Sequence, residues 1–230
     1  LLRSVAPPAP GAERRLALYE SVAELAQEHL AVSPDRAAVE RRFAEAFLAR
    51  SLAVVSGGRW ARSLMGTDRR NLTRALRWGL ARDDGTPSAE TLLAAAVALE
   101  QTLAPSEHAA GDGALLDLAV ARAAGAGQPE PAAQGLLACA VTAQGSRAAL
   151  AADRPTAQAL FQRAFEIAEG AGERVMAARA AERMARLLSR ASLDAGDAWY
   201  ERALALRRAA GDAEGEARVR LNLITNLEAR

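Results

Sequence analysis

Apolar residues recur along this chain at intervals of three and four rather than in alternation, the spacing that gathers them on one face of an α-helix. Gly, Pro and Asp fall between the periodic stretches. The pattern predicts ten helices, near residues 19–31, 34–54, 68–82, 87–103, 111–124, 130–147, 154–170, 173–190, 196–209 and 213–228. In the second of these, Ser33 can cap, Pro34 suits the first helical position, and Val39, Phe43, Ala46, Phe47 and Val54 form one buried stripe. Residues 1–18 differ. A Pro-rich loop from Ala6 to Gly11 separates two short segments that can pair as a β-hairpin.

The second half of the chain repeats itself. Phe161-Gln162-Arg163-Ala164-Phe165 aligns with Tyr200-Glu201-Arg202-Ala203-Leu204 at an offset of 39, and Ala171-Gly172-Glu173 aligns with Ala210-Gly211-Asp212 at the same offset. Arg179 then falls on Arg218, and a fainter copy is found at Leu116-Asp117-Leu118-Ala119-Val120. Each unit is expected to be an antiparallel helix pair with a short turn, Ala where helices approach closely and an aromatic residue one turn earlier. One pair cannot bury its apolar face alone, so neighbours stack into a solenoid. Several kinds of helix-pair repeat share this period.

Composition fits that picture. Half the 230 residues are apolar and only 4% aromatic, so Ala and Leu must fill the interior. Residues 1–115 hold 14 Arg and 14 acids and the remainder 15 Arg and 14 acids, which excludes a domain-wide positive field for nucleic acid. The single cysteine, Cys139, has apolar helical neighbours and is expected to be a small buried hydrophobe; it cannot form an internal disulfide. No apolar run approaches the ~20 residues that span a bilayer, and no signal peptide opens the chain, so a cytoplasmic location is expected. The first residue is not Met and the pattern opens midway, as in a segment of a longer polypeptide.

Two sets of residues resemble known families. Gly145, Ala157, Phe161 and Ala164 fall where the tetratricopeptide repeat places its small, small, aromatic and small residues, and Asp153 sits in its tight turn. Val141 stands at the family's first-helix tryptophan, Ala185 at the glycine of the second unit, and the turn of that unit carries an insertion. This resemblance implies an all-α, right-handed superhelical solenoid in which the first helix of each pair lines a concave groove. The run from Arg14 to Leu30, and Asn71-Leu72-Thr73-Arg74-Ala75-Leu76-Arg77-Trp78-Gly79-Leu80 within Asp68–Leu80, are similar to the winged-helix junction and repeat-opening helix of bacterial signal-transduction ATPases. Those include LuxR-type and antibiotic-pathway transcription regulators. The resemblance implies a winged-helix remnant and junction helix over residues 1–30, a repeat region over 31–230 and a nucleotide-binding module upstream.

The chemistry expected of the chain is binding. The stretch Leu18-Tyr19-Glu20 lacks the nucleotide-sensing histidine that the family often carries there, and no G-x-x-x-x-G-K-[ST] motif is present, so no nucleotide or other cofactor is expected. His29 and His108 lie in separate segments without metal-ligand spacing, and no nucleophile elbow occurs. No enzyme is expected. Asp83 and Asp84 stand beside Gly85, where a turn needs them. Residues 59–82 hold seven Arg against Asp68 alone, with Arg70, Arg74 and Arg77 on one helical face: a solvated face, a dock for an upstream domain, or a phosphate contact. Arg179, Arg183, Arg186 and Arg190 form a second stripe, which the repeat carries on to Arg218, Asn222 and Thr225. Such a stripe suits a protein or peptide partner, or a small anionic effector, unless Glu182 neutralises it by pairing with Arg179 and Arg186. A free-standing scaffold for protein assembly is the alternative to a sensor arm.

Overall fold

The computed structural model describes residues 2–5, 15–18, 20–56, 58–102, 113–125 and 131–228. Two strands, β1 (Leu2–Val5) and β2 (Arg15–Leu18), pair antiparallel with Leu2 opposite Leu18 and Val5 opposite Arg15, so the predicted hairpin is present. Ten helices follow among the described residues: α1 (Glu20–Val32), α2 (Arg36–Ser56), α3 (Gly58–Leu80), α4 (Ala89–Thr102), α5 (Gly113–Gly125), α6 (Pro131–Leu150), α7 (Arg154–Gly170), α8 (Arg174–Leu188), α9 (Leu193–Ala209) and α10 (Ala213–Glu228).

Several boundaries and one face depart from the sequence reading, among them the start of α9 at Leu193 rather than Gly196 and the end of α6 at Leu150 rather than Arg147. Helix α3 begins at Gly58, ten residues before the expected start, because the helix runs through Gly66; one glycine in a helix interior costs only about 1 kcal/mol against Ala. Ser33 caps a turn through its hydroxyl, which accepts from the Asp35 amide at 3.2 Å, and α2 starts at Arg36 rather than Pro34. Its buried face is Ala44, Leu48 and Ser51; Val39, Phe43 and Phe47 are half-buried, Ala46 is exposed, and the side chain of Val54 lies outside the described residues. Helix α8 ends at Leu188, where the Ser189 hydroxyl donates back to the Ala185 carbonyl at 2.9 Å, so Arg190 belongs to the following turn.

The two halves pack differently. Helices α2, α3, α5 and α6 all lie against α4, whose residues Leu92 to Glu100 are buried without interruption. A helix apolar on every side needs neighbours on every side, and α4 has them. From α6 onward each helix packs chiefly on the next, as in a helical-repeat arrangement. Helices two apart also meet, in two rows. In the first row Arg179 on α8 reaches Cys139 on α6, and Arg218 on α10 reaches Glu182 on α8. In the second, Phe165 on α7 meets Trp199 on α9 edge to face at 5.3 Å, with Arg202 stacked 4.2 Å from the Phe165 ring and paired with Glu169.

The turns of this second half show why the repeat exists. Ala152, Gly172 and Gly211 each adopt a left-handed conformation, with φ of 61°, 73° and 68°. The next residue in each case donates its amide to a carbonyl five residues back: Asp153 to Ala148, Glu173 to Ala168 and Asp212 to Arg207, at 2.9–3.0 Å. That pair of features closes an α-helix with its last carbonyls satisfied. The acid then caps the next helix in two of the three, Asp153 accepting from Thr156 and Asp212 from Gly215. Between helices, Gly145 makes room for an aromatic ring, since a Cβ there would lie 2.7 Å from Phe161. Phe161 and Phe165 are 2% and 1% exposed, each contributing about 1.5–3 kcal/mol of burial.

Candidate functional site

Helix α8 carries one acid and several arginines, and its two sides are treated in opposite ways. Ala177, Ala178, Ala180, Ala181, Met184 and Ala185 bury its apolar side against α7 and α9. Arg183 and Arg186 stand exposed on the other side, and Arg179 is half-buried with Nη1 3.8 Å from the sulfur of Cys139, which is itself buried as expected. No carboxylate among the described residues forms an ion pair with Arg179, Arg183 or Arg186. Partial desolvation, followed by the charges of Arg186 and Arg179, draws the Arg183 guanidinium below its ordinary pKa, with Glu182 opposing. These are like charges held close with no carboxylate among the described residues paired to them.

Glu182 does not neutralise them. The expected pairing with Arg179 and Arg186 is replaced by one in the interior, where Glu182 is 8% exposed and Arg207 of α9 only 2%. Oε1 of Glu182 accepts from Nε and Nη2 of Arg207 at 3.0 and 2.6 Å, and Arg218 of α10 approaches the same carboxylate from outside at 3.3 Å. Nη1 of Arg207 donates to Asp212 at 2.5 Å, tying the α9–α10 turn into the same network. Arg218 is therefore committed to Glu182, which holds its pKa above the ordinary arginine value.

The remaining positions divide. Arg190 is exposed but sits in the turn after α8, and Asn222 is half-buried on α10. The Thr225 hydroxyl donates to the Leu221 carbonyl of its own helix at 3.0 Å, so neither it nor Asn222 joins the α8 stripe through a hydrogen bond. Tyr200 lies beneath the stripe, where burial raises its pKa and the nearby Arg186 opposes that shift. The pattern rules that pick out the arginines contain no signal for Arg207, because its partner is 25 residues away in sequence.

The first arginine cluster has an internal use. Arg70, Arg74 and Arg77 are exposed on α3, and Arg74 lies 5.4 Å over the ring of Phe43. With Leu30, Val39, Glu40 and Trp78 these two line a cleft of about 160 Å³ between α1, α2 and α3. Trp78 packs against the core, with Arg82 stacked 4.8 Å from its ring. The side chains of residues 59–67, including Trp60, lie outside the described residues. Asp84 accepts from the Thr86 amide at 3.0 Å beside Gly85, whose φ is 77°, so this acid serves the turn, as expected.

Among the described residues no three His, Cys, Asp or Glu side chains are gathered as a metal ion would require. No helix among them is long and apolar enough to cross a membrane. No protein-family model matches the chain, and no curated protein matches it significantly.

Proposed function

We propose that this chain is a non-catalytic partner-binding arm, and that it recognises acidic polypeptide through the guanidinium stripe of α8. The observation that carries the reading is that, among the described residues, Arg179, Arg183 and Arg186 have no ion-pair partner, while the one acid of α8 is drawn inside by Arg207. Carboxylates meet guanidinium groups through paired, charge-assisted hydrogen bonds. The trio spans seven residue steps of helix, about 10 Å at 1.5 Å per residue, which is longer than a single carboxylate or phosphate and suits several acids on one chain. Among the described residues no exposed aromatic platform accompanies the stripe, which favours peptide over single-stranded nucleic acid.

The setting of the arm is a multidomain bacterial signalling or transcription regulator with a nucleotide-binding module upstream, in a cytoplasmic, tetratricopeptide-like sensor region. Its support is the resemblance of Arg14–Leu30 and Asp68–Leu80, together with a hairpin directly before α1 where a wing is required. In that setting a partner seated on α8 alters how the arm lies on the upstream module, and Arg70, Arg74 and Arg77 are the interdomain contact.

A Glu-rich synthetic peptide titrated into the chain tests the reading. Saturable binding that weakens as salt rises is expected, with loss in Arg183→Glu and Arg186→Glu and no binding of the Gln-for-Glu peptide. Equal affinity in wild type and both charge reversals removes the stripe as the binding surface.

A further inference from the structure

Glu182 precedes Arg186 by four residues, the order in which an acid and a base stabilise a helix best. The structure forgoes that pair. The carboxylate instead enters the α8–α9–α10 interface, where Nε and Nη2 of Arg207 donate to it at 3.0 and 2.6 Å. Taking both ions from water carries a desolvation cost that a surface pair with Arg186 avoids. The interface is shaped for this arrangement. A Cβ on Gly215 would lie 2.6 Å from Cδ and 2.8 Å from Nε of Arg207, so the guanidinium reaches Glu182 only because α10 opens with glycine at that position. Asp212 holds the third nitrogen and fixes the plane of the fork.

We propose that Arg207 is a positioning residue for acidic-peptide recognition: by holding Glu182 inside, it keeps Arg183 and Arg186 free to take carboxylates from a partner. This rests on the reading of α8 given above and adds the residue that controls it. Without Arg207, Glu182 keeps only the longer, 3.3 Å contacts of the half-exposed Arg218; its side chain is then drawn outward to Arg183 and Arg186, and the surface loses affinity for acids although each of its arginines remains. Arg207 itself touches no partner.

The test uses the full chain and the Glu-rich peptide, with inorganic phosphate and a single-stranded oligonucleotide as separate arms. Arg207→Met is expected to weaken peptide binding about tenfold, the equivalent of one charge-assisted contact. Arg207→Met combined with Glu182→Gln is expected to restore affinity to within about threefold of wild type. Arg208→Met is the charge control, because Arg208 leaves α9 beside Arg207, pairs with Glu216 at 2.9 Å and does not touch Glu182; it is expected to bind like wild type. Wild-type affinity in a folded Arg207→Met, or an equal loss in Arg208→Met, overturns the proposal. If Arg207→Met does not fold, Glu182→Gln alone decides: affinity within about threefold of wild type supports withdrawal of the carboxylate, and a gain of about tenfold or more shows that Glu182 already neutralises the stripe and overturns it. Failure of the wild-type chain to bind the peptide overturns the reading of α8 itself. Tighter binding of phosphate or oligonucleotide than of the peptide overturns acidic-peptide recognition as the use of this stripe.

Discussion

Asp212 shows how a single carboxyl joins folding to pH. The Gly215 amide at 2.8 Å, and then Arg207, hold its pKa below the ordinary 3.8, against the opposing effect of burial. Because the folded value is the lower one, the stabilisation is complete above the unfolded pKa and is lost as pH falls through the folded pKa. Asp212→Asn is therefore expected to lower the urea midpoint at neutral pH, with the gap from wild type closing as pH falls below about 3.8. A gap that persists undiminished well below pH 3.8 would show that the charge of Asp212 contributes nothing. At this scale the sequence is only partly legible. The arginines of α8 follow from helical spacing, whereas the destination of Glu182 does not, because the local rule that pairs it with Arg186 takes no account of a guanidinium arriving from the next helix.

Among the elements, the three matching turns separate what composition decides from what position decides. Gly172 and Gly211 adopt positive φ at no steric cost, while Ala152 holds a φ of 61° with its Cβ crowded against its own backbone. Ala152→Gly is expected to stabilise the chain by about 0.5–1 kcal/mol, the αL penalty removed less the extra freedom of glycine in the unfolded chain. Denaturant melts check it, and an unchanged or lowered midpoint would contradict the left-handed turn at that residue. These turns were legible as Ala-Gly-acid at 171–173 and 210–212. The start of α3 was not, because Gly66-Thr67-Asp68 carries the same residues as a helix boundary, yet the helix runs through it. The face of α2 turned out differently because its half-buried aromatics meet arginines, Phe43 under Arg74 and Phe47 under Arg50, and leave the deep positions to Ala44 and Leu48.

Taken whole, the molecule joins a bundle centred on α4 to a stack that begins at α6. The repeat period exposes the stack, since similar residues recur at an offset of 39, but within the bundle only the faint copy at Leu116–Val120 of α5 repeats; the signal of its centre is the unbroken apolar run from Leu92 to Leu99. Hydrogen exchange should follow this division. Amides of α4 are expected to exchange most slowly, and those of α1, which exposes Leu25 at 54% and Val32 at 84%, fastest among the helices. Similar rates in α1 and α4 would contradict a core centred on α4. In the stack, Arg154 at the start of α7 donates to the last carbonyl-bearing turn of α8 at Leu187, and Arg174 at the start of α8 does the same for α9 at Ala209. Helices α7 and α8 thus each close the end of their successor, a relation that further copies could hand on. A gene segment encoding one helix pair brings its own turn and its own clasp, so tandem duplication can lengthen such a chain without redesigning what is already folded. The length of surface that the stack displays is then set by copy number.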